Sequence, residues 1–249
     1  MVKFDMDKCV GCGKCAADCP GLVLGMKDGR PAVVGGSCIE CGHCVEVCTH
    51  RAVSLAAGPT ATAGWETELE KNVLTRRSIR NYLPAAPDRK VLERALHIAG
   101  WAPSAKNQNK NGWTVVYGRE RVRGLLGATL DWCRENGKNR GIVRLCESGT
   151  NLVTCDAPCL VFAWADEVGY SDTDCAIALT TLELLLHEKN LGTCWGGFAT
   201  RVFSSSPEVL ALAGIPEGKK LCATLMVGYP AEEYQGVPAR PELPCIWRD

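Results

Sequence analysis

Two runs of cysteine constrain this chain more than any other feature: CVGCGKCAADCP at residues 9–20 and CIECGHCVEVCT at residues 38–49. Each reads C-x2-C-x2-C-x3-C. Three closely spaced cysteines on a tight turn can cover one face of a cubane [4Fe-4S] cluster while a fourth thiolate arrives from elsewhere, so the spacing predicts iron-sulfur clusters. Gly11, Gly13 and Gly42 leave room for the backbone to turn close to an inorganic core. Tetrahedral zinc would leave ligands over, because each run supplies a third cysteine at the same short spacing and a fourth beyond it. Disulfides would require an oxidising compartment, and the opening MVKFDMDKC carries no apolar signal segment.

The two runs resemble the bacterial two-cluster ferredoxins. That resemblance implies that the fourth ligand of each cluster comes from the other run. Cys9, Cys12, Cys15 and Cys48 would then hold one cluster, and Cys38, Cys41, Cys44 and Cys19 the other. Pro20 after Cys19 follows the ferredoxin pattern, whereas Thr49 after Cys48 departs from it at a position that is not a ligand. His43, inside the second run, is expected on the solvent side of a cluster and not as a ligand.

At 249 residues the chain has room for a small module and one sizeable domain. Basic and acidic residues balance at 28 each, with no long run of either sign, which argues against a nucleic acid or an anionic membrane as partner. The longest apolar candidate, CAIALTTLELLLHEKN, contains Glu183 and ends in charges, so no membrane helix is expected. The reading is a cytoplasmic protein. Eight further cysteines are scattered through residues 133–245, mostly in apolar surroundings, and read as small buried hydrophobes. CDAPC at 155–159 precedes the apolar run CLVFAWA without a second pair at metal spacing, and core packing is expected there too.

The internal repeat ends by residue 56. AAGPTATAG then marks a linker over 57–64, and a second domain is expected over 65–249. Helices are expected in WETELEKNVLTRRS, in DRKVLERALHIAGW opened by Pro87 and Asp88, and in SDTDCAIALTTLELLLHEKNLG. Strands are expected at WTVVYG, CLVFAWA and LCATLMVGYP, a helical insertion or lid at 119–150, a tight turn at TCWGGFA, a short helix at PEVLALAG and an extended arm after Gln235.

TRRSIRNY, APSAKN, GTCWGGF and GYP with a downstream PAR stand in an order and separation similar to those of the FMN-dependent nitroreductase family. The resemblance covers residues 65–249 and implies an α+β chain: a two-cluster ferredoxin-like domain, then an α/β flavodomain with a central mixed sheet flanked by helices and an extended C-terminal arm. It implies FMN, with Arg76, Ser78 and Arg240 toward the phosphate and ribityl chain, Arg77 in the same cofactor-binding cluster, Arg80 toward the pyrimidine edge, and Asn107 pairing with the imide edge of the ring. A basic corner after a helix can also be a solvated C-terminal cap. Trp195, Gly196 and Gly197 fit the segment whose backbone faces flavin N5. After Asn107 the chain departs from the family's pattern, so Lys106 and Gln108 are either site residues or loop surface.

Iron-sulfur clusters pass one electron at a time, whereas FMN collects two and delivers a hydride. The fusion therefore suggests an oxidoreductase in which two [4Fe-4S] clusters load FMN for reduction of a small electron-poor substrate, a nitroaromatic or quinone. Reduced ferredoxin or NAD(P)H would be the donor. Alternatives are a flavin reduced by NAD(P)H with the clusters carrying electrons outward, a dehalogenase-type reaction on the same fold, and a non-catalytic electron carrier or redox sensor. The resemblance also implies a homodimer. No Ser/His/Asp or paired-carboxylate constellation is evident, and the catalytic residues are left unassigned.

Overall fold

In a computed structural model, residues 2–55, 66–237 and 243–248 are described. They divide into two units, one of Met1–Thr75 with Glu232–Asp249 and the other of Arg76–Ala231. The expected linker 57–64 and Arg240 lie outside the described residues. Helix α3 (Glu68–Thr75) and the segment from Glu232 therefore group with the first unit, although the sequence reading counts them with the second.

The first unit repeats a short pattern. Strands β1 (Val2–Phe4) and β4 (Val53–Leu55) pair antiparallel, with Val2 opposite Leu55. Between them the two cysteine runs form one-turn helices, α1 (Lys14–Ala17) and α2 (His43–Glu46). Each helix is entered through a glycine in the left-handed region, Gly13 at φ 76° and Gly42 at φ 78°, where a side chain would be strained. A hairpin of β2 (Leu24–Lys27) and β3 (Arg30–Val33) closes through Asp28 and Gly29, both at positive φ. Asp-Gly is the pair that such a two-residue turn favours. Val2, Val23, Leu24, Val47 and Val53 pack with Cys15 and Cys44 into a small core.

In the second unit, near-continuous apolar runs build a sheet whose central strands are buried on both faces. Its strands are β5 (Asn111–Tyr117), β6 (Cys159–Asp166), β7 (Gly192–Trp195) and β8 (Lys219–Gly228), in the order β5-β6-β8-β7. All three strand pairings are antiparallel. Its mixed character comes from a parallel bridge between Ser78 and Thr193. Cys159, Val161, Ala163 and Ala165 of β6 pack with α7 (Ser171–Glu188) and with Leu92, Ala95 and Ala99 of α4 (Arg89–Ala99). The alternate residue Phe162 meets Phe203 of α8 (Gly197–Phe203) edge-on at 5.2 Å, a contact worth about 1 kcal/mol beyond its burial. Asp88 caps α4 by accepting from the amides of Lys90 and Val91.

Two helices form within 119–150, where helix is expected: α5 (Arg119–Glu135) and α6 (Arg140–Glu147). The short helix read at PEVLALAG is α9 (Pro207–Leu212). The tight turn expected at TCWGGFA is absent. Thr193 and Cys194 are buried in β7 and pair with β8, and the chain passes directly into α8 after Gly196. Two glycines in a row favour a turn, but strand pairing holds Thr193, Cys194 and Trp195 before them extended.

Candidate functional sites

The cysteine runs shape two hollows, open to solvent at the mouth. Cys9, Cys12, Cys15 and Cys48 line one, and Cys19, Cys38, Cys41 and Cys44 line the other. Burial pushes the Cys44 thiol up to about 12, and the neighbouring Cys41, Cys19 and Cys38 add to the effect. Burial likewise raises Cys15, followed by the charges of Cys48 and Cys12. Thiols crowded into apolar hollows resist ionising alone, and a bound cation inverts that preference. Backbone amides also reach two of the sulfurs: Glu40 donates to Cys38 Sγ at 3.4 Å and Ala52 to Cys48 Sγ at 3.3 Å. Among the described residues, no group of three or more His, Cys, Asp or Glu has the close spacing of a single-ion site. A four-iron cluster holds its thiolates farther apart than one ion does.

His43 is not on the solvent side. It is buried, with Nδ1 3.4 Å from Asp18 Oδ2 and its ring edge-on to Tyr234 at 5.6 Å. The partners that bury it come from distant parts of the chain, which a local motif cannot reveal.

In the second unit, the Ser78–Thr193 bridge lays the Arg76–Arg80 segment beside β7. Ile79 donates its amide to the Thr193 carbonyl at 2.7 Å, which fixes the register. Ser78 and the charges of Arg80 and Arg76 lie close enough to bear on the Cys194 thiol. Burial is nevertheless the larger influence and raises Cys194 above its ordinary range. Arg80 also donates to the Ser78 carbonyl at 3.4 Å. Arg77 is buried, and its charge, with that of Arg76, helps burial lower the pKa of His187.

At the centre of this cluster is a carboxylate that the sequence reading passes over. Glu183, on the buried helix α7, accepts from Arg76 Nη1 at 3.3 Å, Thr193 Oγ1 at 2.9 Å and Trp195 Nε1 at 3.3 Å. Its side chain is 4% exposed, so these three donors offset the cost of burying its charge. In sequence, a glutamate inside an apolar helix reads only as an interruption. The Thr193-x-Trp195 alternation on β7, which turns both side chains to one face, was the available signal.

Gly196 and Gly197 differ. A β-carbon on Gly196 would meet Ala199 Cβ at 3.0 Å and the Thr224 carbonyl at 3.4 Å, so this glycine serves the chain's own packing. Nothing lies within 4 Å of a β-carbon on Gly197, whose face is open. Trp195 is 38% exposed beside it. Asn107 lies in another segment, an exposed 3-10 turn (Ala105–Asn107) with φ 53°. Lys106 and Gln108 flank it and line a cavity of about 210 Å³ with Tyr170 and Asp174.

The nitroreductase family model matches residues 73–229, and the 4Fe-4S dicluster domain model matches residues 1–49. No curated protein sequence matches the chain. Among solved structures, a nitroreductase with bound FMN from Desulfitobacterium hafniense DCB-2 is 22% identical over 72% of this chain and 96% of that one, with a TM-score of 0.60. An FMN-bound nitroreductase from Bacteroides fragilis NCTC 9343 is also 22% identical, over 72% and 95%, with a TM-score of 0.56. An iodotyrosine deiodinase bound to FMN and 3-iodo-L-tyrosine is 24% identical over 72% and 97%, with a TM-score of 0.51. At these identities the likeness is one of fold. The order of elements, the Ser78–Thr193 junction and the family match together make this chain a member of the nitroreductase family that carries a 4Fe-4S dicluster domain at its N-terminus.

Proposed function

We propose that this chain is an iron-sulfur flavoprotein oxidoreductase that passes electrons from two [4Fe-4S] clusters to FMN and reduces a small electron-poor substrate of the nitroaromatic or quinone class. The observation that carries the reading is the pair of hollows, each lined by three cysteines of one run and the last of the other. That interleaving is what two-cluster coordination needs. Family membership and the FMN of the solved structures on this fold support the flavin.

FMN, when bound, takes up electrons singly and delivers them in pairs. The chain's part is to hold and orient it. Arg76, Arg77, Ser78 and Arg80, with Arg240 from the arm, supply cations and a hydroxyl for a phosphate and for the electron-rich edge of a ring. Glu183 fixes the Arg76 guanidinium and the Trp195 indole. The open face of Gly197 admits a flat ring against the backbone, while Asn107 is assigned to the imide edge. The domain boundaries proposed are 1–56 for the cluster domain and 65–249 for the flavodomain. The working assembly is a cytoplasmic homodimer. No helix among the described residues is long and apolar enough to cross a membrane.

The test is anaerobic stopped-flow of cluster and flavin absorbance on reconstituted protein, mixed separately with reduced ferredoxin and with NAD(P)H. Cluster bleaching ahead of flavin bleaching with ferredoxin, and no reaction with NAD(P)H, is the expected result. Flavin bleaching first with NAD(P)H would reverse the direction of electron flow. Protein that takes up neither flavin nor iron would sink the assignment.

A further inference from the structure

The segment that begins at Glu232 returns to the first unit and straddles its two short helices. Glu232 Oε2 pairs with Lys14 Nζ of α1 at 2.6 Å. Tyr234 donates its hydroxyl to Asp18 Oδ2 at 2.9 Å, and its ring stands edge-on to His43, the first residue of α2. Gln235 then donates its amide at 3.0 Å to the carbonyl of Glu46, the last residue of α2, which has no partner within its own short helix. Gly236 follows so closely that a β-carbon there would lie 2.6 Å from Glu46 Oε2. Tyr234 also packs against the core that contains Cys15 and Cys44. Four successive contacts along five residues describe a fitted strap.

Asp18 and His43 are each one residue before a cysteine, Cys19 and Cys44, and these two cysteines line the same hollow. We infer that Tyr234 is a positioning residue for the cluster held by Cys19, Cys38, Cys41 and Cys44: through its hydroxyl on Asp18 and its ring against His43 it fixes two ligands of that cluster and tempers the negative charge beside it. The inference rests on the ligand assignment proposed above. Outer partners of metal ligands set both retention and potential. The hydroxyl of Tyr234 draws charge from the buried Asp18 carboxylate. Without it, more negative charge faces the cluster, and adding an electron becomes harder.

The experiment uses the full-length reconstituted chain, with iron content, reduction potentials by spectroelectrochemistry and EPR, and iron release to a chelator. Tyr234→Phe keeps the ring and removes only the hydroxyl; Tyr234→Ala removes both. The expected result for Tyr234→Phe is a lower potential for one cluster, the other unchanged, at full iron content. Tyr234→Ala is expected to release half of the iron roughly tenfold faster than wild type. Both clusters keeping their potentials and release rates in both variants would overturn the inference. Wild-type protein that incorporates far fewer than about eight iron atoms per chain would instead overturn the ligand assignment, and the inference with it.

Discussion

Glu183 and Arg76 come from segments more than a hundred residues apart, and they meet with the carboxylate 3.3 Å from the guanidinium. The same carboxylate holds Thr193 and Trp195, so one buried acid ties the basic segment to the strand that leads into the Gly196–Gly197 corner. Glu183→Ala would leave a hydroxyl and an indole N–H without an acceptor and free Arg76 to move. The expected cost is about 1–3 kcal/mol in stability, read by thermal unfolding, since the Arg76 side chain is partly exposed and its lost ion pair adds little. FMN affinity should fall about tenfold in a fluorescence titration, and Glu183→Gln, which keeps an acceptor, should recover most of it. An unchanged affinity in Glu183→Ala would remove Glu183 from the support of the site.

Cys222 of strand β8 packs against the core that contains Cys175 of helix α7. The neighbouring Cys175 thiol holds Cys222 below the ordinary thiol range, and Cys175 is itself raised. Cys222 is also partly accessible, whereas Cys159, Cys175 and Cys194 are buried. Alkylation follows thiolate fraction and access. Under limiting iodoacetamide, peptide mass spectrometry should therefore find Cys222 modified well before those three. Equal labelling of Cys222 and Cys159 would contradict the pairing.

The sequence announced some features openly because their chemistry is local. The two cysteine runs are legible since cluster geometry enforces their spacing, and β6 is legible since a buried strand must be apolar on both faces. The β2–β3 hairpin has a local signal as well, Asp28-Gly29, the pair a two-residue turn favours. The TCW strand and Glu183 were hidden for a different reason. Their roles are defined by partners far along the chain, Thr193 by β8 and Ser78, Glu183 by Arg76 and Trp195. His43 is the same case, with Asp18 and Tyr234 as the distant partners.

Alkaline pH should weaken the fold through thiols that stay protonated. Burial pushes Cys155 and Cys159 up to about 12 from an ordinary 9.0. Below 9 both folded and unfolded chains keep these protons, and the contribution is fully present. Between about 9 and 12 the unfolded chain releases protons that the folded chain retains, so stability falls as pH rises and levels off beyond the folded value. Thermal unfolding across pH 8–11 should show that decline, and Cys159→Ala should make it shallower. An identical slope in the variant would mean that Cys159 ionises freely in the folded chain.

The two glycines after Trp195 allow packing and ligand access to be separated. Gly196 has an ordinary backbone conformation, φ −91°, so the obstacle to a side chain there is steric: Ala199 at 3.0 Å and the Thr224 carbonyl at 3.4 Å. Gly196→Ala must push α8 from β8 or strain the corner, at a cost of about 1–2 kcal/mol whether or not flavin is bound. Gly197→Ala meets no protein atom within 4 Å, and the fold should tolerate it, with a melting temperature close to wild type without flavin. If the open face of Gly197 is where a flat ring approaches the backbone, the new methyl occupies that approach. FMN binding should then weaken by at least about tenfold, measured by fluorescence quenching, while Gly196→Ala weakens binding only in proportion to its loss of stability. A Gly197→Ala protein that binds FMN as tightly as wild type would move the ring away from this corner, and the Arg76–Arg80 cluster would need a different ligand orientation.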